Sequence, residues 1–245
     1  MGSDSKHLPR ILCLHGGGTS GMIFSIQTRK LQHSLRQYFR FVFVDGPFES
    51  IPGPGVMPYF EGCEPFWRWV KTAGRKDIEV RRNLRKTLQD EGGPFVGVLG
   101  FSQGARLAAG ILLEQQEKGQ VEGQKLRFAV CVNGTYPALI LAEDSSPTSH
   151  PTVDAELSEW DETYNLHIRL PSVHIHGDQD PYVHGSRLLA RCFDPQTAKV
   201  FEFENGHHLP TSTFDTERVA EEILRIYRGS DKGEIQDEVK EDSWF

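Results

Sequence analysis

Short apolar runs alternate with amphipathic stretches along most of the chain. The apolar runs predict strands at 10–14, 40–44, 94–99, 126–132, 170–175 and 199–203. Apolar residues near helical spacing predict helices at 22–38, 77–89, 105–117, 186–192 and 213–228. Strands that alternate with helices form parallel sheets with helices on their faces. The pattern therefore predicts a single α/β domain with a mostly parallel sheet flanked by helices.

Two long stretches interrupt this alternation. Residues 49–74 are rich in glycine, proline and aromatic residues, and residues 134–168 have an acidic middle rich in serine and proline. Long segments of this kind inside a compact domain are usually functional. We expect both to be irregular excursions that shape a pocket, the first as an aromatic lid or cap. The charged stretch 229–245 is expected to be a frayed tail of the one domain, 1–245.

Composition, charge and residue spacing argue against several classes of function. The 245 residues carry a formal net charge of −7, without the basic surface of a nucleic-acid-binding protein. No apolar run reaches the roughly 18 residues of a membrane span, and the polar N-terminus shows no secretory signal. We therefore expect a cytoplasmic protein with no membrane partner. The cysteine, histidine and acidic spacings fit no metal motif, so no metal or cofactor is expected.

The strongest chemical signal is the motif Gly100-Phe101-Ser102-Gln103-Gly104, which lies between a predicted strand and a predicted helix. It matches G-x-S-x-G, the nucleophile elbow of α/β-hydrolases, in the context that the elbow requires. Its glycines let strand and helix crowd together around the turn that exposes the serine. The sequence therefore predicts an α/β-hydrolase fold with Ser102 as the nucleophile.

A serine hydroxyl needs a base to take its proton, and in this fold the base is a histidine late in the chain. His207 and His208 both follow the last predicted strand. We favour His207, because it directly follows Gly206 and lies three residues before Pro210.

The base in turn needs a carboxylate that fixes its tautomer and lies between serine and histidine in sequence. Asp178 and Asp180 both follow the strand at 170–175. We favour Asp180, because Asp178 is better placed to hydrogen-bond its own loop as an Asx turn.

An oxyanion hole completes this type of site. The amide after the nucleophile, that of Gln103, is one expected donor. The second donor is expected from the glycine loop after the first strand, with Gly17 favoured and Gly18 as the alternative. His15 at the start of this loop is expected to buttress it. The loop lacks the lysine of a Walker motif, which argues against nucleotide binding.

The aromatic residues of 49–74 suit the apolar wall of an acyl pocket, namely Tyr59, Phe60, Phe66 and Trp67, with Trp69. The alternative is ordinary packing of a loop on the core. A basic cluster on one predicted helix would suit an acidic partner, although such clusters are usually solvated faces: Arg75, Lys76, Arg81, Arg82 and Arg85.

Several segments together resemble the FSH-type family of serine hydrolases from residue 11 to about residue 227. They are 12–16, 43–47, 100–104, 176–180 and 206–210. The resemblance implies a triad at Ser102, Asp180 and His207. Within the family, segments 53–58 and 65–69 are similar to those of fungal thioesterases encoded beside polyketide synthases. This implies release of a polyketide from an acyl carrier protein, which would be the acidic partner.

The residues and the resemblance predict the same chemistry. We expect a serine hydrolase that cleaves acyl thioesters or esters through an acyl-enzyme intermediate. A general carboxylesterase acting on small soluble esters is the alternative. A third possibility is a ligand-binding protein with a hydrolase fold that has lost catalytic activity. The intact set of serine, aspartate and histidine disfavours it.

Overall fold

The computed structural model describes residues 8–70, 77–90, 92–139, 141 and 167–241, with residues 77 and 231–241 described by their backbone alone. The strands are β1 Arg10–Leu14, β2 Arg40–Val44, β3 Phe48–Ser50, β4 Phe66–Arg68, β5 Phe95–Phe101, β6 Phe128–Val132, β7 Ser172–Gly177 and β8 Ala198–Phe203. The helices are α1 Gly21–Gln27, α2 Arg29–Leu35, α3 Asp77–Leu88, α4 Gln103–Lys118, α5 Val183–Ala190 and α6 Thr213–Glu241.

Six strands form one parallel sheet in the order β2-β1-β5-β6-β7-β8. All six strands predicted from apolar runs are therefore present, with ends that differ by at most two residues. The fully buried strands β1, β5, β6 and β7 occupy the middle of the sheet, where both faces are covered.

Alternation along the strands divides the core into two layers. Leu12 and Leu14 of β1 pack in a cluster that includes residues of α3, α4 and α5. Ile11 and Cys13 face the opposite way, into a cluster that includes residues of α1, α2 and α6. The sheet is thus a central layer between two layers of helices, as the sequence pattern predicts.

Three elements differ from the sequence-based expectation. The helix predicted at 22–38 is divided into α1 and α2 at Thr28, whose hydroxyl donates to Phe24 O (2.7 Å). Such back-bonding bends helices. The excursion 49–74 is not wholly irregular, because β4 lies in it and pairs antiparallel with β3, which begins one residue before it. Helix α6 continues past residue 228 to Glu241, where a frayed tail was expected.

The parallel strands bring chemically important residues to one edge of the sheet. Ser102 follows β5, Asn133 follows β6, Asp180 lies three residues after β7, and His207 lies four after β8. In open α/β sheets this carboxyl edge is where ligands bind. Within the described residues, no helix is long and apolar enough to cross a membrane, and no cluster of side chains could hold a metal ion.

Candidate active site

The turn at Ser102 is sharply bent. Ser102 has φ 52° and ψ −113°, a conformation that costs energy for a residue with a side chain. Two backbone contacts hold it: its N–H donates to Val132 O (2.8 Å), and its carbonyl accepts from Ala105 N (3.0 Å). The side chain is thereby presented at the start of α4.

The two glycines of the motif are required by packing. A Cβ on Gly100 would lie 2.3 Å from Gly104 O, and a Cβ on Gly104 would lie 2.0 Å from Leu14 O. Both contacts are with backbone, which cannot rotate away as a side chain can. The crowding predicted from the motif is therefore present on both sides of Ser102.

Gly104→Ala is expected to lower the free energy of unfolding by about 3 kcal/mol, because the new methyl overlaps the β1 backbone. Urea denaturation measures this change. Gly229→Ala is the matched control, since a Cβ at that helical position meets nothing within 4 Å. It should be neutral or slightly stabilising. Equal effects of the two substitutions would contradict this account of the elbow.

His207 and Asp180 form a short hydrogen bond, with 2.6 Å between His207 Nδ1 and Asp180 Oδ2. The Asp180 side chain is fully buried, and its other oxygen accepts from Tyr182 N (2.9 Å). The His207 ring lies 5.0 Å from the Phe101 ring, beside the elbow. The described residues include no hydrogen bond between His207 and Ser102, a contact that in many enzymes tightens only when substrate is present.

The alternatives to these two residues are placed differently. His208 Nδ1 bonds to Leu209 O (2.8 Å), so its ring is engaged with its own backbone. Asp178 is exposed, whereas Asp180 is buried beside the imidazole. The geometry thus favours His207 over His208 and Asp180 over Asp178.

Asn133 connects three of the loops at this edge and was missed in the sequence analysis. Its Oδ1 accepts from Gly177 N (2.9 Å) at the start of the Asp180 loop. Its Nδ2 donates to His208 O (3.3 Å) in the histidine loop. Asn133 adopts φ 46°, a left-handed conformation that asparagine tolerates better than most residues. A polar residue directly after the apolar strand β6 was the available signal.

Two amides near Ser102 have no acceptor among the described residues, those of Gly17 and Gln103. Gly18 is different, because its N–H donates to Trp67 O (2.8 Å). A Cβ on Gly17 would lie 3.4 Å from Gln103 Oε1, so the glycine loop lies alongside the start of α4. Of the two glycines considered, only Gly17 therefore has an amide free to bind an oxyanion.

His15 is completely buried beneath this loop. Its Nε2 accepts from Gly46 N (2.9 Å), so the proton is on Nδ1, which donates to Gly16 O (2.7 Å). Burial lowers the pKa of His15 and keeps the ring neutral. Its carbonyl accepts from Trp69 Nε1 (2.9 Å). These contacts fit the expected buttressing role.

The aromatic excursion is fastened to the oxyanion loop by backbone hydrogen bonds. Besides the Gly18 contact, Trp67 N donates to Thr19 O (2.6 Å) and Gly53 N donates to Gly18 O (2.9 Å). Trp69 is buried, and its backbone N–H donates to Gln103 Oε1 (2.7 Å). These contacts hold the aromatic excursion against the glycine loop and the elbow.

The four aromatic residues predicted to line a pocket are not brought together as one wall. Phe66 is buried against Ile23 and Val56, with Phe60 packed beside them. Tyr59 is 84% exposed. Trp67 is half-buried and lines a separate cleft between the loop after β2 and α3. For Phe66 in particular, packing on the core explains the aromatic side chain.

The basic cluster is partly neutralised within the chain. Arg81 bonds to Glu114 (2.6 Å) and Arg85 to Glu122 (2.7 Å), while Arg82 is exposed. Arg75 and Lys76 lie outside the described residues.

Comparison with solved structures shows the fold. The chain is similar to a carboxylesterase from Bacillus cereus, with TM-score 0.52, 16% identity and coverage of 94% of this chain and 91% of that one. It is similar to acyl-protein thioesterase 2 from Zea mays, with TM-score 0.53, 15% identity and coverage of 93% and 97%. The predicted α/β-hydrolase fold is confirmed.

Comparison with protein sequences shows the family. The chain is 39% identical to esterase FUS5 from Gibberella fujikuroi, over 94% of this chain and 91% of that protein. It is 36% identical to thioesterase FSL2 from Gibberella zeae, over 90% and 93%. The model of the serine hydrolase (FSH1) family matches residues 5–219. This chain is therefore a member of the serine hydrolase (FSH1) family and a hydrolase.

Proposed function

We propose that Ser102, His207 and Asp180 form the catalytic triad, with the amides of Gly17 and Gln103 as the oxyanion hole. The observation that carries the proposal is the 2.6 Å hydrogen bond between a buried carboxylate and His207, beside the strained serine turn. Asp180 holds the proton on His207 Nδ1, which leaves Nε2 as the base.

The chemistry is acyl transfer to water. His207 Nε2 takes the proton of Ser102 Oγ as the oxygen attacks the substrate carbonyl. The two free amides bind the negative charge that develops on the carbonyl oxygen, and each such donor typically contributes about 10²–10³ in rate. The imidazolium returns its proton to the leaving thiol or alcohol. A water then hydrolyses the acyl-enzyme by the same route.

The proposed substrates are acyl thioesters or esters, with a polyketide on an acyl carrier protein as the finer proposal. The relatives include proteins named esterase and thioesterase, which supports both leaving groups. The polyketide and its carrier rest on the similarity of segments 53–58 and 65–69 to fungal thioesterases. The action of the aromatic excursion as a lid stays a prediction.

Two measurements test this function. A fluorophosphonate probe should label Ser102 stoichiometrically, and unlabelled folded protein would contradict the nucleophile assignment. The kcat/KM values for carrier-bound acyl thioesters should exceed those for short p-nitrophenyl esters. If short esters are better than every thioester, the alternative of a general carboxylesterase is correct.

Asp180→Asn is expected to lower kcat by about 10⁴-fold, because an amide favours the wrong imidazole tautomer. Ester hydrolysis under saturating substrate measures the loss. Asp178→Asn makes the same chemical change on an exposed side chain two residues away and should alter kcat only a few-fold. A large loss from Asp178→Asn with an active Asp180→Asn would reverse the assignment.

A further inference from the structure

Arg106 lies one helical turn after the nucleophile. Its backbone N–H donates to Ser102 O (3.3 Å), as in the first turn of an α-helix. Its carbonyl accepts from Leu139 N (2.9 Å), in the segment that follows β6. The residue is therefore fixed between the elbow and a second loop at the carboxyl edge of the sheet.

The guanidinium of Arg106 has no acidic partner among the described residues. Its one side-chain hydrogen bond there runs from Nε to Pro137 O (2.8 Å), which leaves its terminal NH groups without a described acceptor. By contrast, the buried Arg10 binds Asp90, and Arg81 binds Glu114. Burial lowers the pKa of Arg106 to about 10, so the group is still charged at neutral pH.

Arg106 lies in the first turn of α4, next to the reacting end of that helix. Residues three apart in a helix are neighbours on its surface, so Arg106 lies beside Gln103, one turn further along α4. Helical side chains also tilt toward the helix N-terminus, here toward Ser102. The contact with Pro137 keeps the guanidinium beside the loop after β6, at the same edge of the sheet.

A partly buried cation without an acidic partner among the described residues is costly unless an anion binds to it. We propose that Arg106 is a specificity-determining residue that binds a carboxylate on the acyl part of the substrate. The planar guanidinium can hold a carboxylate through two parallel hydrogen bonds. This inference rests on the proposed function.

A phosphate on the prosthetic arm of a carrier is the other source of an anion. It lies many bonds from the thioester, whereas Arg106 lies one turn from the nucleophile.

The test compares charged and neutral esters of equal chain length. Mono-p-nitrophenyl esters of adipic, pimelic and suberic acid, whose carboxylates are too distant for rapid anhydride formation, are each paired with the p-nitrophenyl ester of the corresponding monocarboxylic acid. For at least one pair, the native protein should favour the acidic ester in kcat/KM relative to the neutral one. Arg106→Met should lower that ratio about 10- to 100-fold, the effect of one charged hydrogen-bonding partner. Arg106→Lys should retain part of the preference.

The outcomes separate this inference from the proposed function. Failure of all esters and of fluorophosphonate labelling would overturn the proposed function itself. Normal hydrolysis with the same acid-to-neutral ratio in native protein and Arg106→Met would overturn only the role of Arg106. An equal loss of kcat/KM for both members of every pair would show that Arg106 only holds the loop at Pro137, and would overturn its role in binding the carboxylate. A preference seen only with carrier-bound thioesters, and absent from the p-nitrophenyl pairs, would place the anion on the carrier side and overturn the acyl assignment.

Discussion

Ser102→Ala is expected to lower kcat by about 10⁶-fold while leaving the melting temperature within a few degrees of the native value. Loss of the hydroxyl removes the attacking atom, so an acyl-enzyme cannot form. Stability should persist because the turn is held by backbone contacts, from Ser102 N to Val132 O and from Ala105 N to Ser102 O. Burst-phase ester hydrolysis and thermal unfolding measure the two quantities.

Ser102→Gly is the matched control for this prediction. Glycine adopts φ 52° without strain, so this variant should be at least as stable as Ser102→Ala and equally inactive. Residual turnover near the native rate in either variant would show that another residue is the nucleophile. A large loss of stability in both would show that the serine side chain has a packing role instead.

His207→Ala is expected to lower kcat by about 10⁴- to 10⁶-fold, because neither proton transfer to the base nor proton return to the leaving group can occur. His208→Ala tests the neighbouring histidine. Among the described residues its ring bonds to Leu209 O alone, and the backbone carbonyl that accepts from Asn133 and Asn205 is kept in alanine. This variant should therefore stay within about tenfold of the native kcat.

Steady-state kinetics and fluorophosphonate labelling should agree for this pair of variants. Labelling depends on an activated Ser102, so His207→Ala should label far more slowly than His208→Ala. If His208→Ala were the inactive variant, the base would be His208 and the bond between His207 and Asp180 would be a structural one.

Local signals in the sequence determined the main features of the fold. Short apolar runs were enough to predict the six strands of the main sheet, because the central strands are buried on both faces. The elbow motif was equally local, since strand, turn and helix are consecutive. The serine, aspartate and histidine candidates were then found in the loops that follow three of these strands.

Contacts between distant segments were decided by the tertiary structure alone. Gly17 and Gly18 are adjacent and chemically identical, yet the Gly18 amide is occupied by Trp67 from another part of the chain. Asn133 bonds to Gly177 and to His208, and no spacing in the sequence relates these residues. Phe66 was expected in a pocket but is buried in a small cluster.

The physical reason is the range of each interaction. Periodicity and turn chemistry act between neighbours in sequence, so the strands and the elbow are readable from the sequence. The free or occupied state of an amide depends on which remote carbonyl reaches it. The role of the positive charge on Arg106 likewise depends on the groups around it. Pro137 O accepts its side-chain hydrogen bond, and no described carboxylate pairs with it.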